Sequence, residues 1–303
     1  MPQRISVRVP ATSANLGCAF DCAAIALRLY LDIHVMPRAD HEVTVCYRGV
    51  TPERIPTDDT HLLVRTMRET LESWRKPRGF DVEIDNHIPV GIGLGSSAAA
   101  IVGSLAACHW LADMTLFDQE LVSRATRLEG HPDNVAAAWH GGFTVAAAEE
   151  GRVTAYSAPV PDPLQFVLVV PDYPLSTEKA REVLPAQYSR ADAVHNLQRA
   201  TLLAAQLFSG KSDLPRTLFD DRWHQKYRAA MIPGLSDVLA LTHSDLLGVC
   251  LSGAGPSILA FVRGSGAAIS DAIRQILQKN GITAQSYVLS ADNLGAKGWS
   301  LPA

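Results

Sequence analysis

Hydrophobic residues recur along the chain at two spacings, one typical of strands and the other of helices. Residues 5–9 alternate apolar and polar, which predicts a half-buried strand that Pro10 ends, followed by a polar, glycine-containing loop. Valines over 43–45 indicate another strand, and residues 80–84 alternate in the same way. Apolar residues at helical spacing predict a helix over 61–74.

The segment 90–112 has no charged residue and nominally has the length of a membrane span. It begins with glycines and serines and then becomes alanine-rich, which is too weakly apolar for stable insertion. We therefore expect a glycine-serine loop over 91–97 that leads into a buried helix ending near Ala112.

The remaining elements mix strands and helices without regular alternation. They are helices over 118–128, 191–208, 235–241 and 267–277, a short helix opened by Pro132, strands over 166–170 and 284–289, and two strands flanking a glycine turn at 252–256. This order favours an α+β fold with antiparallel or mixed sheets over a doubly wound parallel sheet. Three prolines between 159 and 163 predict a boundary between domains 1–158 and 159–303, and a length of 303 residues agrees with two domains.

Composition excludes several classes of partner. The chain is 47% hydrophobic and 19% charged, with a formal charge of −4, so it has no basic excess for nucleic acid or an anionic membrane. Five scattered cysteines without a C-x-x-C pair favour reduced thiols, and the first residues have no apolar signal core. We expect a cytoplasmic protein that binds neither nucleic acid nor membrane.

The most informative stretch for function is PVGIGLGSS at 89–97, immediately before the alanine-rich helix. A helix N-terminus offers unsatisfied N–H groups and a partial positive charge, and glycines let the backbone approach phosphate closely. Ser96 and Ser97 can add hydroxyls to the phosphates or to Mg²⁺. No lysine follows the last glycine, so this is not a Walker sequence, and a tight turn with an N-cap serine is the structural alternative.

A second polar cluster is EGHPDN at 129–134. Glu129 is suited to Mg²⁺, because hard cations prefer carboxylate oxygens. Glu129, His131 and Asp133 could instead hold a transition metal, although their spacing matches no zinc signature. A solvated loop with a capping side chain is the structural alternative.

Two further motifs lie near the ends of the chain. Residues 10–21 end a strand and carry Asn15 and Asp21 beside an apolar segment, and residues 251–257 form a glycine turn between apolar strands. By themselves they indicate a capped loop and a hairpin.

Taken together and in this order, the motifs resemble those of the GHMP kinases, and in particular of their homoserine kinase branch. The similar segments are VPATSANLG at 9–17, GLGSSAA at 93–99, EGHPDNV at 129–135, STEKAREVLP at 176–185, the run from Tyr227 to Gly234, and SGAGPS at 252–257. The resemblance covers nearly the whole chain.

The resemblance implies an N-terminal domain with a left-handed βαβ unit, a ferredoxin-like C-terminal domain, and ATP and substrate between them. The implied reaction transfers the γ-phosphate of MgATP to the hydroxyl of L-homoserine, giving O-phospho-L-homoserine in threonine biosynthesis. The family also implies a homodimer.

The resemblance further assigns roles to residues of this chain. ATP would be bound by Pro89, Val90, Gly91, Ile92, Gly93, Leu94, Gly95, Ser96, Ser97 and His61, and Mg²⁺ by Ser97 and Glu129. Homoserine would be bound by Asn15, Asp21, His131, Asn134, Thr177, Arg181 and Arg228. Catalysis would rest on Asp21, Asn134, Ser97 and Glu129. Guanidinium groups suit the carboxylate of a zwitterion, although a surface ion pair is the structural alternative for each arginine.

The chain departs from the family pattern at two places. The first motif continues Gly17-Cys-Ala-Phe-Asp21 where the family has Gly-Pro-Gly-Phe-Asp, and His61-Leu62 stands where the family has an Asn-Leu adenine contact. The acceptor of the hydroxyl proton stays open between Asp21, Asp133 and the phosphate. A kinase of mevalonate derivatives or of a sugar, and a non-catalytic ligand sensor, are the competing hypotheses.

Overall fold

Two β-sheets and the helices packed on them form the fold. The computed structural model describes residues 4–76, 78–115 and 117–301. In the described chain the strands are β1 (Arg4–Asn15), β2 (Ala19–Pro37), β3 (Val43–Gly49), β4 (Phe80–Asn86), β5 (Phe143–Glu149), β6 (Arg152–Ala158), β7 (Gln165–Pro171), β8 (Leu246–Leu251), β9 (Ile258–Val262), β10 (Ala284–Leu289) and β11 (Lys297–Leu301).

The helices of the same residues differ widely in length. They are α1 (Leu62–Ser73), α2 (Ser96–Ala112), α3 (Asp118–Glu129), α4 (Asp133–His140), α5 (Thr177–Glu182), α6 (Arg190–Phe208), α7 (Gln225–Arg228), α8 (Leu235–Ala240) and α9 (Ala267–Lys279). Short 3₁₀ turns lie at Pro52–Arg54, Arg216–Phe219 and Ala229–Met231.

The first sheet is mixed. Its order is β11-β1-β2-β4-β3, and β5 pairs with both β2 and β6. The β3–β4 pair is parallel, with α1 as the crossover between the two strands, whereas the other pairs described for this sheet are antiparallel. This is a βαβ unit, and its left hand stays a prediction. Helices α2 and α4 pack on this sheet and carry the two central polar motifs.

The second sheet has the order β10-β7-β9-β8, with antiparallel pairing throughout its described strands. In chain order this is the 4-1-3-2 arrangement of a ferredoxin-like fold, so that prediction is confirmed. Helix α9 packs on β7 and β10 and closes a second hydrophobic core.

The elements with clear periodicity are where the sequence predicts them. Helix α1 and strand β4 match the predicted segments, and α2 begins at Ser96 directly after the glycine loop. Alanine, small and aliphatic side chains of α2 are buried on nearly all sides, which explains its lack of charge. Among the described residues, no helix combines the length and apolarity that crossing a bilayer requires.

Three predictions about strands were wrong or incomplete. Pro10 does not end β1, because a register shift between Pro10 and Ala11 lets the strand continue to Asn15. The polar loop expected there is largely strand, and β2, the β5–β6 hairpin and β11 were not predicted. Residues 23–27 of β2 are buried on both faces and form a continuous apolar run, so they show no alternation.

The connection after residue 158 leads from the first sheet to the second. Strand β6 ends at Ala158 and β7 begins at Gln165, so the proposed division into 1–158 and 159–303 falls in this connection. After β10 the chain returns, because β11 pairs antiparallel with β1. The last strand therefore belongs to the first sheet.

Candidate active site

The glycine loop ahead of α2 is held by two segments that are distant in sequence. The carbonyl of Leu94 accepts a hydrogen bond from the Thr12 amide at 3.1 Å. The carbonyl of Gly93 accepts one from the Ser252 hydroxyl at 2.6 Å. The segments 9–17 and 252–257 therefore meet at the glycine loop, and their contacts turn its carbonyls toward the protein.

The loop requires glycine at two positions. Gly93 has φ 84° and Gly95 has φ 63°, both in the left-handed region that L side chains rarely adopt. A Cβ at Gly93 would also collide with the carbonyl of Ser252, and one at Gly95 with the hydroxyl of Thr12. The backbone of the loop therefore packs directly against Ser252 and Thr12.

The backbone amides of residues 91–98 are the notable donors here. Gly95 is the N-cap of α2 and makes no side-chain cap, so the N-cap serine alternative is wrong. The hydrogen bonds of the described residues include none in which an amide of 91–98 is the donor, and the series starts with Ala99 donating to the Gly95 carbonyl at 2.8 Å. These unsatisfied donors and the helix dipole favour an anion.

Ser97 and Glu129 form a joined pair beside these amides. The Ser97 hydroxyl donates to Glu129 Oε1 at 2.6 Å. The side chain of Glu129 is 9% exposed, and its nearest cationic partner in the described chain is His131 Nε2 at 4.0 Å. Burial raises the pKa of the Glu129 carboxyl, with the Ser97 hydrogen bond opposing the shift. A divalent cation would compensate this desolvated carboxylate.

The transition-metal alternative gains no support from the geometry. Within residues 4–76, 78–115 and 117–301, no group of three or more His, Cys, Asp or Glu side chains is arranged to hold a metal ion. Mg²⁺ does not need such a group, because it is usually held by one or two carboxylates together with phosphates and water.

The start of α4 places three polar side chains at the cleft. His131 Nδ1 lies 2.9 Å from Asp133 Oδ1, and the backbone amide of Asn134 donates to the same oxygen at 2.7 Å. Burial by itself would lower the pKa of His131, but the hydrogen bond and charge of Asp133 outweigh it and raise the pKa. Asn134 Oδ1 accepts from the Thr12 hydroxyl at 2.8 Å, which fixes the direction of the side-chain nitrogen Nδ2 of Asn134.

Asp21 and Arg181 bind each other. Arg181 donates from both terminal nitrogens to the two carboxylate oxygens of Asp21, at 2.8 and 2.9 Å. The side chain of Arg181 is 40% exposed and that of Asp21 is 32% exposed, and the Arg181 guanidinium lies 5.5 Å from the centre of the Phe20 ring. The two residues expected to hold opposite ends of a zwitterion therefore form a bidentate ion pair.

Arg228 has a different environment. It is 1% exposed, donates from Nε to the Ala180 carbonyl at 2.9 Å and from Nη1 to the Gly253 carbonyl at 3.2 Å, and contacts His224 Nδ1 at 3.1 Å. The ion pairs of the described chain include none with Arg228, which therefore has no carboxylate partner there. Burial, followed by the charge of Arg181, lowers the pKa of Arg228 to about 10, which leaves it cationic at neutral pH.

Asn15 has a structural environment. Its Nδ2 donates to the Gly253 carbonyl at 2.8 Å, and its Oδ1 accepts from the Asp21 amide at 2.9 Å. Asn15 joins the first loop to the glycine turn after β8, and its contact with a substrate stays a prediction.

One cavity of about 490 Å³ brings most of the predicted residues together. Its lining includes Asn15, Asp21, His61, Val90, Gly91, Gly93, Leu94, Gly95, Ser96, Ser97, Glu129, His131, Asn134, Thr177, Arg181 and Arg228. Pro89 and Ile92 are not part of this lining, and Ile92 packs instead against the first core.

The cavity has an apolar end that the sequence did not predict. Its lining includes Tyr47, Ile55, Pro56, Leu62 and Asn86, and the ring of Tyr47 lies 6.1 Å from that of His61. His61 is the N-cap of α1, and its Nδ1 accepts from the Leu63 amide at 3.1 Å. Burial lowers the pKa of His61, so the ring is neutral and Nε2 carries the hydrogen.

Comparison with known proteins agrees with this geometry. Residues 61–142 match the GHMP kinases N terminal domain, and residues 195–280 match the GHMP kinases C terminal domain. A homoserine kinase of Desulfitobacterium hafniense is 42% identical over 96% of this chain and 99% of its own length. A homoserine kinase of Deinococcus radiodurans is 40% identical over 96% and 95%.

Solved structures have the same architecture. The crystal structure of homoserine kinase from Cytophaga hutchinsonii has a TM-score of 0.85 and 28% identity, covering 99% of this chain and 98% of that one. The mevalonate diphosphate decarboxylase of Enterococcus faecalis shares the fold alone, with a TM-score of 0.67, 13% identity and coverage of 99% and 100%. By sequence and by structure, this chain belongs to the GHMP kinase family and, within it, to the homoserine kinases.

Proposed function

We propose that this chain phosphorylates L-homoserine, using MgATP and releasing ADP and O-phospho-L-homoserine. The observation that carries the proposal is Arg228, a buried cation without a carboxylate partner in the described chain. It lines the same cavity as the unsatisfied amides of 91–98. One cavity thus offers a place for a triphosphate and a place for a small carboxylate.

The triphosphate lies against the glycine loop and the start of α2. The amides of residues 91–98 donate to its oxygens, and the helix dipole adds a partial positive charge. The adenine occupies the apolar end beside His61, whose Nε2–H can donate to a ring nitrogen of the base. In this proposed arrangement the γ-phosphate points toward Ser97.

Mg²⁺ would be held by Ser97 and Glu129. When bound, it neutralises charge on the phosphates. The buried carboxylate of Glu129 and the hydroxyl oxygen of Ser97 are hard oxygen ligands, which fits this ion.

Homoserine lies at the other end of the cavity. Its carboxylate binds Arg228 and Arg181, its ammonium binds Asp21, and its hydroxyl lies beside Asn134 and His131. Binding opens the Asp21–Arg181 pair, and because the substrate carries both charges, two new ion pairs offset the lost one. A neutral alcohol could not make that exchange.

The reaction forms a bond between the homoserine hydroxyl oxygen and the γ-phosphorus, breaks the bond from the γ-phosphorus to the bridging oxygen that leaves with ADP, and releases the hydroxyl proton. Phosphoryl transfer through a loose transition state depends mainly on alignment and charge neutralisation. Asn134 and Asp21 align the acceptor, while the amides of 91–98 hold the donor phosphates in place.

The test is ADP release from MgATP with homoserine, mevalonate and galactose as separate acceptors. We expect turnover with homoserine and at most trace turnover with the other two. Faster turnover with mevalonate or galactose would favour another kinase of the family. Absence of ADP release with all three would favour a non-catalytic ligand sensor.

The proposal extends to assembly and location. Exposed apolar residues Val194, Leu197 and Leu202 lie along α6 and support a homodimer, which sedimentation velocity tests through the mass of the particle. All five cysteines are free thiols in the described chain, which supports a cytoplasmic location that cell fractionation tests.

A further inference from the structure

His224 lies behind the carboxylate end of the cavity and is fully buried. Its Nε2 is 2.8 Å from the Gly17 carbonyl oxygen, which can only accept, so Nε2 carries the hydrogen. Its Nδ1 is therefore an acceptor and takes a hydrogen bond from Arg228 Nη1 at 3.1 Å. One imidazole thus connects the first loop to the unpaired arginine.

The position of His224 is set by Asp221. This buried carboxylate accepts from the backbone amides of His224 at 2.9 Å, of Gln225 at 2.6 Å and of Trp223 at 2.9 Å. The carboxylate therefore caps the turn that begins α7 and leaves the imidazole little freedom.

Phe20 adds a second link between His224 and the substrate end. The Phe20 ring centre is 5.5 Å from the guanidinium of Arg181 and 5.5 Å from that of Arg228. The His224 ring is 5.4 Å from the same aromatic ring. His224 therefore contacts both Arg228 and Phe20 of β2, against which both guanidiniums pack.

The partners of Arg228 share one property: Ala180 O, Gly253 O and His224 Nδ1 are all neutral acceptors. Neutral acceptors fix the orientation of a guanidinium without cancelling its charge. A carboxylate in place of His224 would fix the group equally well but would remove its attraction for an anionic ligand. The charge of Arg228 is thereby kept for a ligand, and Nη2 is the nitrogen that these bonds leave over.

We propose that His224 is a positioning residue for the substrate's carboxylate. It orients Arg228 through Nδ1 and holds the turn at Gly17 through Nε2–H. This inference rests on the proposed function, because it takes the carboxylate of homoserine as the ligand of Arg228.

The test compares homoserine with 3-aminopropan-1-ol, which is the same amino alcohol without the carboxylate. His224→Phe removes both hydrogen bonds, whereas His224→Gln keeps a donor and an acceptor. We expect His224→Phe to lower the ratio of kcat/KM for homoserine to that for 3-aminopropan-1-ol by roughly 10- to 100-fold, as for a misplaced binding group. His224→Gln should recover part of the ratio, and KM for MgATP should stay unchanged in both variants.

Gln225→Met is the matched control. Gln225 is buried on the same turn, and its Oε1 accepts from the Leu251 amide at 2.8 Å, but it makes no hydrogen bond to Arg228. This variant should lose thermal stability and keep the ratio of the two acceptors. An equal fall for both acceptors in His224→Phe, or a ratio that stays at the unmodified value, would overturn the inference.

A measurement on the unmodified protein covers the case in which the variants do not fold. With ¹⁵N-labelled histidine, the His224 ring, identified by slow solvent exchange, should be neutral and protonated at Nε2. Its Nδ1 resonance should shift on addition of homoserine and not of 3-aminopropan-1-ol. An Nδ1 resonance that shifts with neither compound would overturn the role of His224. If the unmodified protein fails to phosphorylate homoserine, the proposed function itself fails.

Discussion

The two arginines at the substrate end differ in what they bind within the protein. Arg181 is partly exposed and paired with Asp21, whereas Arg228 is buried and oriented by neutral groups. In the proposed complex, Arg181 exchanges Asp21 for the substrate's carboxylate, and Arg228 provides a fixed cationic end. Sequence motifs predicted both residues, but burial and pairing come from the packing of α5 and α7 and could not be derived from the motifs.

Arg181→Ala should weaken homoserine binding by about 2–4 kcal/mol, because a charge-assisted contact to the substrate's carboxylate is lost. The loss of stability should stay below about 1 kcal/mol, since the Asp21 pair is solvent-exposed. Arg8→Ala is the control, because Arg8 makes a bidentate pair with Asp32 elsewhere. KM for homoserine and denaturant unfolding test this, and an unchanged KM in Arg181→Ala would count against the role.

Ser97→Ala and Glu129→Gln should lower kcat and raise the Mg²⁺ concentration for half-maximal rate, because the first removes a proposed oxygen ligand of the ion and the second replaces a proposed carboxylate ligand with a neutral amide. Glu120→Gln, an exposed change on the same helix as Glu129, should leave the Mg²⁺ titration unchanged. The measurement is initial rate against free Mg²⁺. Full activity of both variants at limiting Mg²⁺ would make the metal assignment wrong.

Burial of the neutral His224 should lower the unfolding free energy in acid. Burial lowers its pKa in the folded state below the ordinary value of 6.5, with the charge of Asp221 opposing. As pH falls below 6.5, the unfolded chain binds a proton that the folded one does not, so the unfolding free energy falls by up to about 1.4 kcal/mol per pH unit.

His224→Gln should therefore have a flatter profile of unfolding free energy between pH 6.5 and pH 5 than the unmodified protein, whatever its absolute stability. His41→Gln, at an exposed position, is the control and should keep the original slope. Equal slopes in unmodified protein and His224→Gln would contradict the assignment of a neutral buried ring.

At the scale of elements, periodicity predicted those that expose one face. Helix α1 and strand β4 each bury one side and were predicted within a residue or two. Strand β2 was missed because part of it is covered on both faces. The apolar end of the cavity was missed because Tyr47 and Asn86, which share a hydrogen bond at 3.1 Å, are distant in sequence and are brought together by the pairing of β3 with β4.

The glycine loop ahead of α2 gives a test of backbone shape. Gly93→Ala should raise KM for ATP and lower stability, because its Cβ would collide with the backbone of Ser252. Gly264→Ala is the control, since Gly264 lies outside the cavity lining and has a similar positive φ with open space around the added Cβ, and it should cost only about 1–2 kcal/mol of backbone strain. Activity against ATP concentration and thermal unfolding measure both effects. Equal behaviour of the two variants would contradict the importance of the packed loop.

At the scale of the whole molecule, the order of motifs predicted which residues meet, and folding determines how. Segments near residues 12, 94 and 252 join through hydrogen bonds that connect the two sheets. The ferredoxin-like sheet follows from the resemblance, whereas the return of β11 to β1 had no signal in the sequence. Pairing with a distant strand depends on the complete fold, which local patterns do not encode.

The most direct test of the account is a crystal structure with homoserine, Mg²⁺ and a non-hydrolysable ATP analogue. We predict triphosphate oxygens within hydrogen-bond distance of amides in 91–98, and the homoserine carboxylate on Arg228. A triphosphate away from the start of α2, or a homoserine carboxylate without contact to Arg228, would contradict the account.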